Sequence, residues 1–193
     1  MKLNKSFYLN ENVVDISKSL LGKFLFTNFK NKLCGGYITE TEAYAGITDK
    51  ASHAYNNKRT KRTEMMFQEG GIAYIYLCYG MYSLFNVVTN KAEIPHAVLI
   101  RGIELIEGKN IARERLKINN LDKYKLNGPG KLSKALGIHY SNSGTSLLGN
   151  EIWIEDRGLI INEKEIFITQ RVGIDYAQED ALLPYRFIYK PII

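Results

Sequence analysis

Two glutamates separated by one residue, Glu40 and Glu42 in ETEAY, are the first groups in this sequence whose type and spacing suit catalysis. On a strand, residues two apart share a face, so the two carboxylates would be near neighbours at a strand end. Like charge and partial burial raise a carboxylate's pKa toward the working range of a general base, whereas the plainer reading is two solvated glutamates at a sheet edge. Tyr74 and Tyr76 also alternate along one strand and present both rings on one face, with Tyr79 at the turn beyond and Tyr44 just after the glutamates. Such rings make either a tyrosine-lined core edge or a slot for a flat base. Between the two groups lies KRTKR, in which Lys58, Arg59, Lys61 and Arg62 place four positive charges in five residues. A solvated loop accounts for them, and so does contact with phosphates, which adds sequence-independent, salt-dependent affinity.

Other chemistries lack their residues. His53, His96 and His139 lie far apart with no HExxH or HxH spacing, and Cys34 and Cys78 form no CxxC, so neither a metal site nor a disulfide framework is expected. The sequence has no GxGxxG, GxxxxGKS or GxSxG, which removes the usual dinucleotide, P-loop and serine-hydrolase readings and leaves no cofactor implied.

The elements that must position these groups can be read from periodicity. Val13, Val14, Ile16, Leu20 and Leu21 recur at helical spacing between Asn10, a candidate cap, and Gly22, a candidate stop. Strands follow over residues 23–27 and 35–44, the second ending in a long loop that runs to about Met65. IAYIYLCYGMYSLFNVV, rich in aromatic and β-branched residues around Tyr79-Gly80, predicts two strands joined by a turn. HAVLIRGIEL predicts a strand that feeds a helix over residues 108–117, and residues 117–127 make a polar connector. In GPGKLSKALG, Pro129 suits a first helical turn and Gly137 a stop. Strands at residues 151–154, 165–169 and 185–189 close an irregular mixture of helix and strand without the alternation of a doubly wound parallel sheet.

With 193 residues, 45% of them apolar, the chain is long enough for one compact domain spanning residues 1–193. No apolar run approaches the ~18 residues of a bilayer span, and the N-terminal MKLNKSFYLNENVV has neither an apolar segment nor a cleavage site. A cytoplasmic protein with no membrane partner is expected. A net charge of +6 with thirteen tyrosines suggests a polyanion as partner.

ETEAYAG, SHAY, TKRTE with MMF, YIYLCYGMYSLFNVV, VLIRGIEL, GPGKL and RVGI occur in this order from about Leu20 to the C-terminus. In that order they closely resemble the alkyladenine (3-methyladenine) DNA glycosylase family. The resemblance implies a mixed α/β domain of α+β type, a curved and largely antiparallel sheet flanked by helices. It also implies monofunctional excision of alkylated or deaminated purines from double-stranded DNA, with association with the nucleoid through DNA binding; a monomer is the default expectation. By the family's motifs Glu42 is the base that activates water, with Glu40 its neighbour or support. Tyr44, His53 and Tyr76 wall the pocket for the flipped base, and Asn86 discriminates among purines. Tyr79 is the wedge that enters the duplex, and Arg101 positions water or DNA. One departure is Gly70-Gly71, where relatives commonly carry Pro-Gly.

Two readings compete with this one. A non-catalytic binder of damaged nucleic acid would keep the tyrosines and the basic loop but has no use for ETEAY. A small glycoside hydrolase could use Glu40 and Glu42 as its pair, yet adjacent side chains on one strand hardly flank a bond from opposite sides.

Overall fold

The computed structural model describes residues 1–121 and 126–191, so the connector read over residues 117–127 lies partly outside the described residues. A short helix α1 (Lys5–Tyr8) precedes α2 (Val13–Ser19). The cap of α2 is Asn12, whose side chain accepts from the N–H groups of Val14 and Asp15. Asn10, the expected cap, instead accepts from Asn12's own N–H at 2.9 Å and so tightens the turn one step upstream. Strand β1 (Phe24–Phe29) turns through Lys30 and Asn31, both at positive φ (53° and 60°), into β2 (Lys32–Tyr44). A tight hairpin built without glycine hides its turn signal, so β2 begins three residues before the expected 35.

The hairpin β3 (Ala73–Cys78) and β4 (Tyr82–Thr89) and the long β5 (His96–Glu107) follow the aromatic segment as expected. Helices α3 (Lys109–Leu116) and α4 (Pro129–Leu136) come next, and β6 (Ile152–Glu155), β7 (Ile166–Thr169) and β8 (Arg186–Tyr189) complete the sheet. Strand order is β3-β4-β5-β2-β1-β6, with β8 pairing both β2 and β7. Every strand pairing among the described residues is antiparallel. The fold is thus mixed α/β around a curled antiparallel sheet, and no helix among the described residues is long and apolar enough to cross a membrane.

Strand β2 is the pivot. Its first half pairs with β1, its last residues pair with β8, and β5 runs along its other side. Register shifts near Gly35 and on both sides of Glu40 bend it. The strands approach so closely that a Cβ on Gly36 would sit 1.9 Å from the Glu104 carbonyl oxygen, which only glycine avoids.

Antiparallel pairing puts directly opposed residues on one face, which divides the sheet cleanly. Ala73, Val87, Val98 and Ala43 form one row, all fully buried in the main core. The next row, displaced by one residue, runs Tyr74, Asn86, Leu99, Glu42 and Arg186 across five strands on the opposite face. Helix α2 seals the core side, where Thr41 donates to the Ser17 carbonyl at 2.8 Å. At the end of the sheet Gly70 donates its N–H to Asn90 and has the Tyr8 carbonyl 2.6 Å from where a Cβ would stand. A proline there would lose that bond and bring its Cβ against the Tyr8 carbonyl, so this chain's backbone favours glycine at 70.

Candidate active site

The row of Tyr74, Asn86 and Leu99 forms one side of a cavity of about 600 Å³. Tyr44, His53, Tyr76 and Arg101 also line it, so the structure brings the expected base-binding residues to one place. Glu42, next in the row, is 0% exposed and lies beneath the lining made by Tyr44, Arg101 and Val172.

Burial raises the pKa of Glu42, because a carboxylate loses hydration there. Arg101, the Val172 N–H, the Tyr44 hydroxyl and Arg186 oppose that rise. Tyr44 donates its O–H to Oε2 at 2.9 Å, Val172 its backbone N–H to Oε1 at 2.8 Å, and Arg101 Nη1 lies 3.4 Å from Oε2. The hydroxyl of Tyr44 stays protonated, since burial and then the neighbouring Glu42 raise its pKa well above the ordinary value. Glu40 shares the face, as the spacing predicts, but is tied differently: its Oε1 accepts from Arg101 Nε at 2.8 Å and from Arg186 Nε at 2.7 Å. Arg101 therefore bridges both carboxylates, and Glu40 is committed to holding arginines. A buried carboxylate disposed to take a proton is thereby fixed beside an aromatic cavity.

His53 meets Tyr76 edge to face at 4.6 Å and 79°, while Tyr74 and Tyr76 lie 5.6 Å apart with their rings tilted by 33°. Arg62 stands over the Tyr76 ring at 4.7 Å and donates to His53 Nε2 at 3.1 Å. With Nε2 accepting, the imidazole proton sits on Nδ1 and is donated to the Tyr74 hydroxyl at 2.9 Å. Burial first, then Arg62 and Lys58, push the pKa of His53 down to about 4, so the ring is neutral. The Asn86 amide is equally fixed, because Nδ2 donates to the carbonyls of Tyr74 and Leu84 at 3.1 and 3.2 Å. Its Oδ1 remains as an acceptor.

Tyr79 stands at the rim, at the tip of the β3–β4 hairpin, and is 88% exposed with φ +51° beside Gly80 at φ +68°. Lys58 and Lys61 are exposed on the loop beside the cavity. Arg59 is engaged elsewhere: it donates to both oxygens of Glu64 at 2.9 and 2.8 Å and to Glu93 at 2.6 Å, and it lies over the Phe67 ring. Two carboxylates match its charge and tie the loop down.

A family model described as methylpurine-DNA glycosylase matches residues 6–191. A Chlamydia felis protein named for 3-methyladenine DNA glycosylase is 46% identical over 96% of this chain and 95% of its own length. Proteins of the same name from Alkaliphilus oremlandii and Clostridium perfringens are 44% and 41% identical, each over 98% of this chain and 96% of their own length. The chain belongs to the methylpurine-DNA glycosylase family. It is a DNA glycosylase, a hydrolase of N-glycosyl bonds.

Much of what steadies the site of this glycosylase comes from a segment whose roles the sequence did not disclose. Arg171, fully buried, makes a two-pronged ion pair with Asp49, donates to the carbonyls of Ala43 and Asp180, and lies over the Tyr44 ring at 4.9 Å. Val172, its neighbour, holds Glu42, and Tyr176 borders the cavity with its hydroxyl on the Ala51 carbonyl at 3.1 Å. Gly128 to Lys131, ahead of and within the first turn of α4, form the facing rim. RVGI and GPGKL were visible as family motifs, but only folding shows that they touch Glu42 and the cavity.

Proposed function

We propose that this glycosylase excises methylated purines, 3-methyladenine among them, and deaminated purines such as hypoxanthine from double-stranded DNA. The damaged nucleotide rotates out of the stack, and its base enters the cavity between Tyr44, His53 and Tyr76. The N-glycosidic bond breaks with its electron pair leaving on the purine, and positive charge develops on the sugar. A ring-methylated purine is cationic and departs as a neutral base; a deaminated purine needs a proton as it leaves. Water adds to the anomeric carbon while Glu42 takes its proton, and the carboxylate's charge also favours the oxocarbenium-like sugar. Arg101 orients Glu42 and the water. No lysine adduct is involved, so the strand remains intact at the abasic product.

Asn86 suits discrimination by shape, because an amide pinned to two carbonyls cannot turn aside for a purine with the wrong edge. Tyr79 fills the gap left in the duplex, Lys58, Lys61 and Arg62 meet phosphates, and Arg59 holds their loop in shape. One chain supplies the whole site, consistent with action as a monomer among the DNA of the cytoplasm. The observation that carries this reading is the placement of Glu42, buried with a raised pKa, in one cross-strand row with the cavity's Tyr74 and Asn86. A duplex bearing one 7-methylguanine or hypoxanthine, incubated with the protein and then cleaved by alkali, tests it. Strand scission at the lesion alone is expected, and an uncut lesion strand contradicts it.

A further inference from the structure

A second cavity, of about 440 Å³, lies against the first and shares Arg62, Tyr76 and Leu77 with it. Strand β3 is the edge of the main sheet; Tyr74 lines the first cavity and Ile75 the second, while Tyr76 and Leu77 border both. Ile75 and Met65 give the second cavity an apolar lining, and Tyr140, 47% exposed, supplies an aromatic wall. Lys61 and Arg62 complete it, and no carboxylate is among its lining residues. Lys61 makes no ion pair among the described residues, and Arg62 is held by two neutral partners, His53 Nε2 and the Tyr76 ring.

The edge backbone adds donors. Ala73 donates its outward N–H to the Thr145 carbonyl at 2.8 Å, and Ile75 donates to Ser143 Oγ at 3.0 Å. The ladder's alternation directs the N–H of Leu77 to that same edge, one step beyond the covering segment. Ser143 Oγ, which accepts from Ile75, keeps its own proton to donate. Two cations with neutral donors suit a phosphate, and an aromatic wall over an apolar lining suits a base or sugar. The volume falls within the usual span of small-ligand pockets, roughly 300–1,000 Å³.

We infer that this cavity is a subsite for a second nucleotide of the DNA, next to the flipped one, with its phosphate on Lys61 and Arg62 and its base or sugar against Tyr140. The inference rests on the proposed function, because the shared wall of Tyr76 and Arg62 makes the occupant a neighbour of the flipped nucleotide. It adds Tyr140, Ser143 and the Leu77 N–H to the DNA contacts.

The test uses duplexes with a tetrahydrofuran abasic analogue and a single neutral methylphosphonate placed in turn at each phosphate near it. Binding is measured for the wild type, Lys61→Ala and Tyr140→Ala, with excision of a methylated purine by the wild type run alongside. At one position the methylphosphonate is expected to weaken wild-type binding about tenfold, or ~1.4 kcal/mol, with under twofold further effect in Lys61→Ala. Tyr140→Ala should bind the unmodified analogue duplex severalfold more weakly at unchanged melting temperature. If the wild type excises the base but every methylphosphonate effect simply multiplies with Lys61→Ala, or Tyr140→Ala binds as the wild type does, the subsite is refuted alone. A wild type that neither binds nor excises refutes the proposed function and the subsite with it.

Discussion

The backbone N–H of Val172 meets Glu42 Oε1 at 2.8 Å, joining groups 130 residues apart in the chain. The strand end that carries the carboxylate is thus completed by the C-terminal segment, which also brings Arg171 to the Tyr44 ring. The contact opposes the burial that raises Glu42's pKa, so the carboxylate is held ready to ionise in a place that resists its charge.

That tension has a signature in stability. Above the ordinary value of 4.5 and below the raised one, folded Glu42 keeps a proton that the unfolded chain has released. The stability from that proton is present below the ordinary value and lost as pH rises through the raised one. Glu42→Gln does not titrate, so its melting temperature minus that of the wild type should grow as pH climbs through this window and then stay level. Melting curves between about pH 4 and pH 8 check it; a difference that shrinks with rising pH contradicts the raised pKa.

Asp49→Ala strands the buried Arg171 guanidinium, and breaking such a pair from one side costs about 3–5 kcal/mol. A fall in melting temperature of roughly 6–20 °C follows for a chain of this size. Excision should drop as well, because Tyr44 loses the group packed on its ring. A shift within about 2 °C would mean that the pair is not closed in solution.

Lys58, Lys61 and Arg62 differ from Arg59 in their partners, and the salt dependence of binding should show it. Replacing the three by alanine is expected to reduce the slope of log K against log salt by up to ~2.7 for damaged and undamaged duplex alike. Arg59→Ala should change it by less than ~0.5, since its charge is already matched by Glu64 and Glu93. Equal slope changes per residue would restore Arg59 as a phosphate ligand.

Tyr79 packs against little, at 88% exposure, so Tyr79→Ser should leave the melting temperature unchanged. A wedge offsets unstacking, which costs a few kcal/mol for a paired base and less for a mismatched one. Excision should therefore slow more on paired than on mismatched hypoxanthine duplexes. Equal slowing on both, with a large loss of thermal stability, would make Tyr79 a packing residue.

The sequence disclosed those parts of the site that depend on local pattern. Alternation placed Tyr74 with Tyr76 and Glu40 with Glu42, and Tyr79-Gly80 marked the hairpin tip that the structure shows. Where turns lacked their usual residues, pattern fell short: Lys30-Asn31 turns without glycine, and Asn12 caps where Asn10 stood as the candidate. Long-range partners were out of reach. Nothing local tells that Arg59 meets Glu93, that Arg171 meets Asp49 across 122 residues, or that Arg101 bridges two carboxylates of the neighbouring strand. These contacts set Arg59 apart from Lys58 and Lys61 in its partners, and Glu40 apart from Glu42.

Whether Glu42 is the base is tested most directly by Glu42→Gln, which keeps the side chain's size and removes its capacity to take a proton. Single-turnover excision of 7-methylguanine or hypoxanthine should fall by orders of magnitude, while affinity for the lesion duplex stays within about tenfold, or ~1.4 kcal/mol. Excision by the variant at the wild-type rate would contradict the assignment and move the base elsewhere in the cavity.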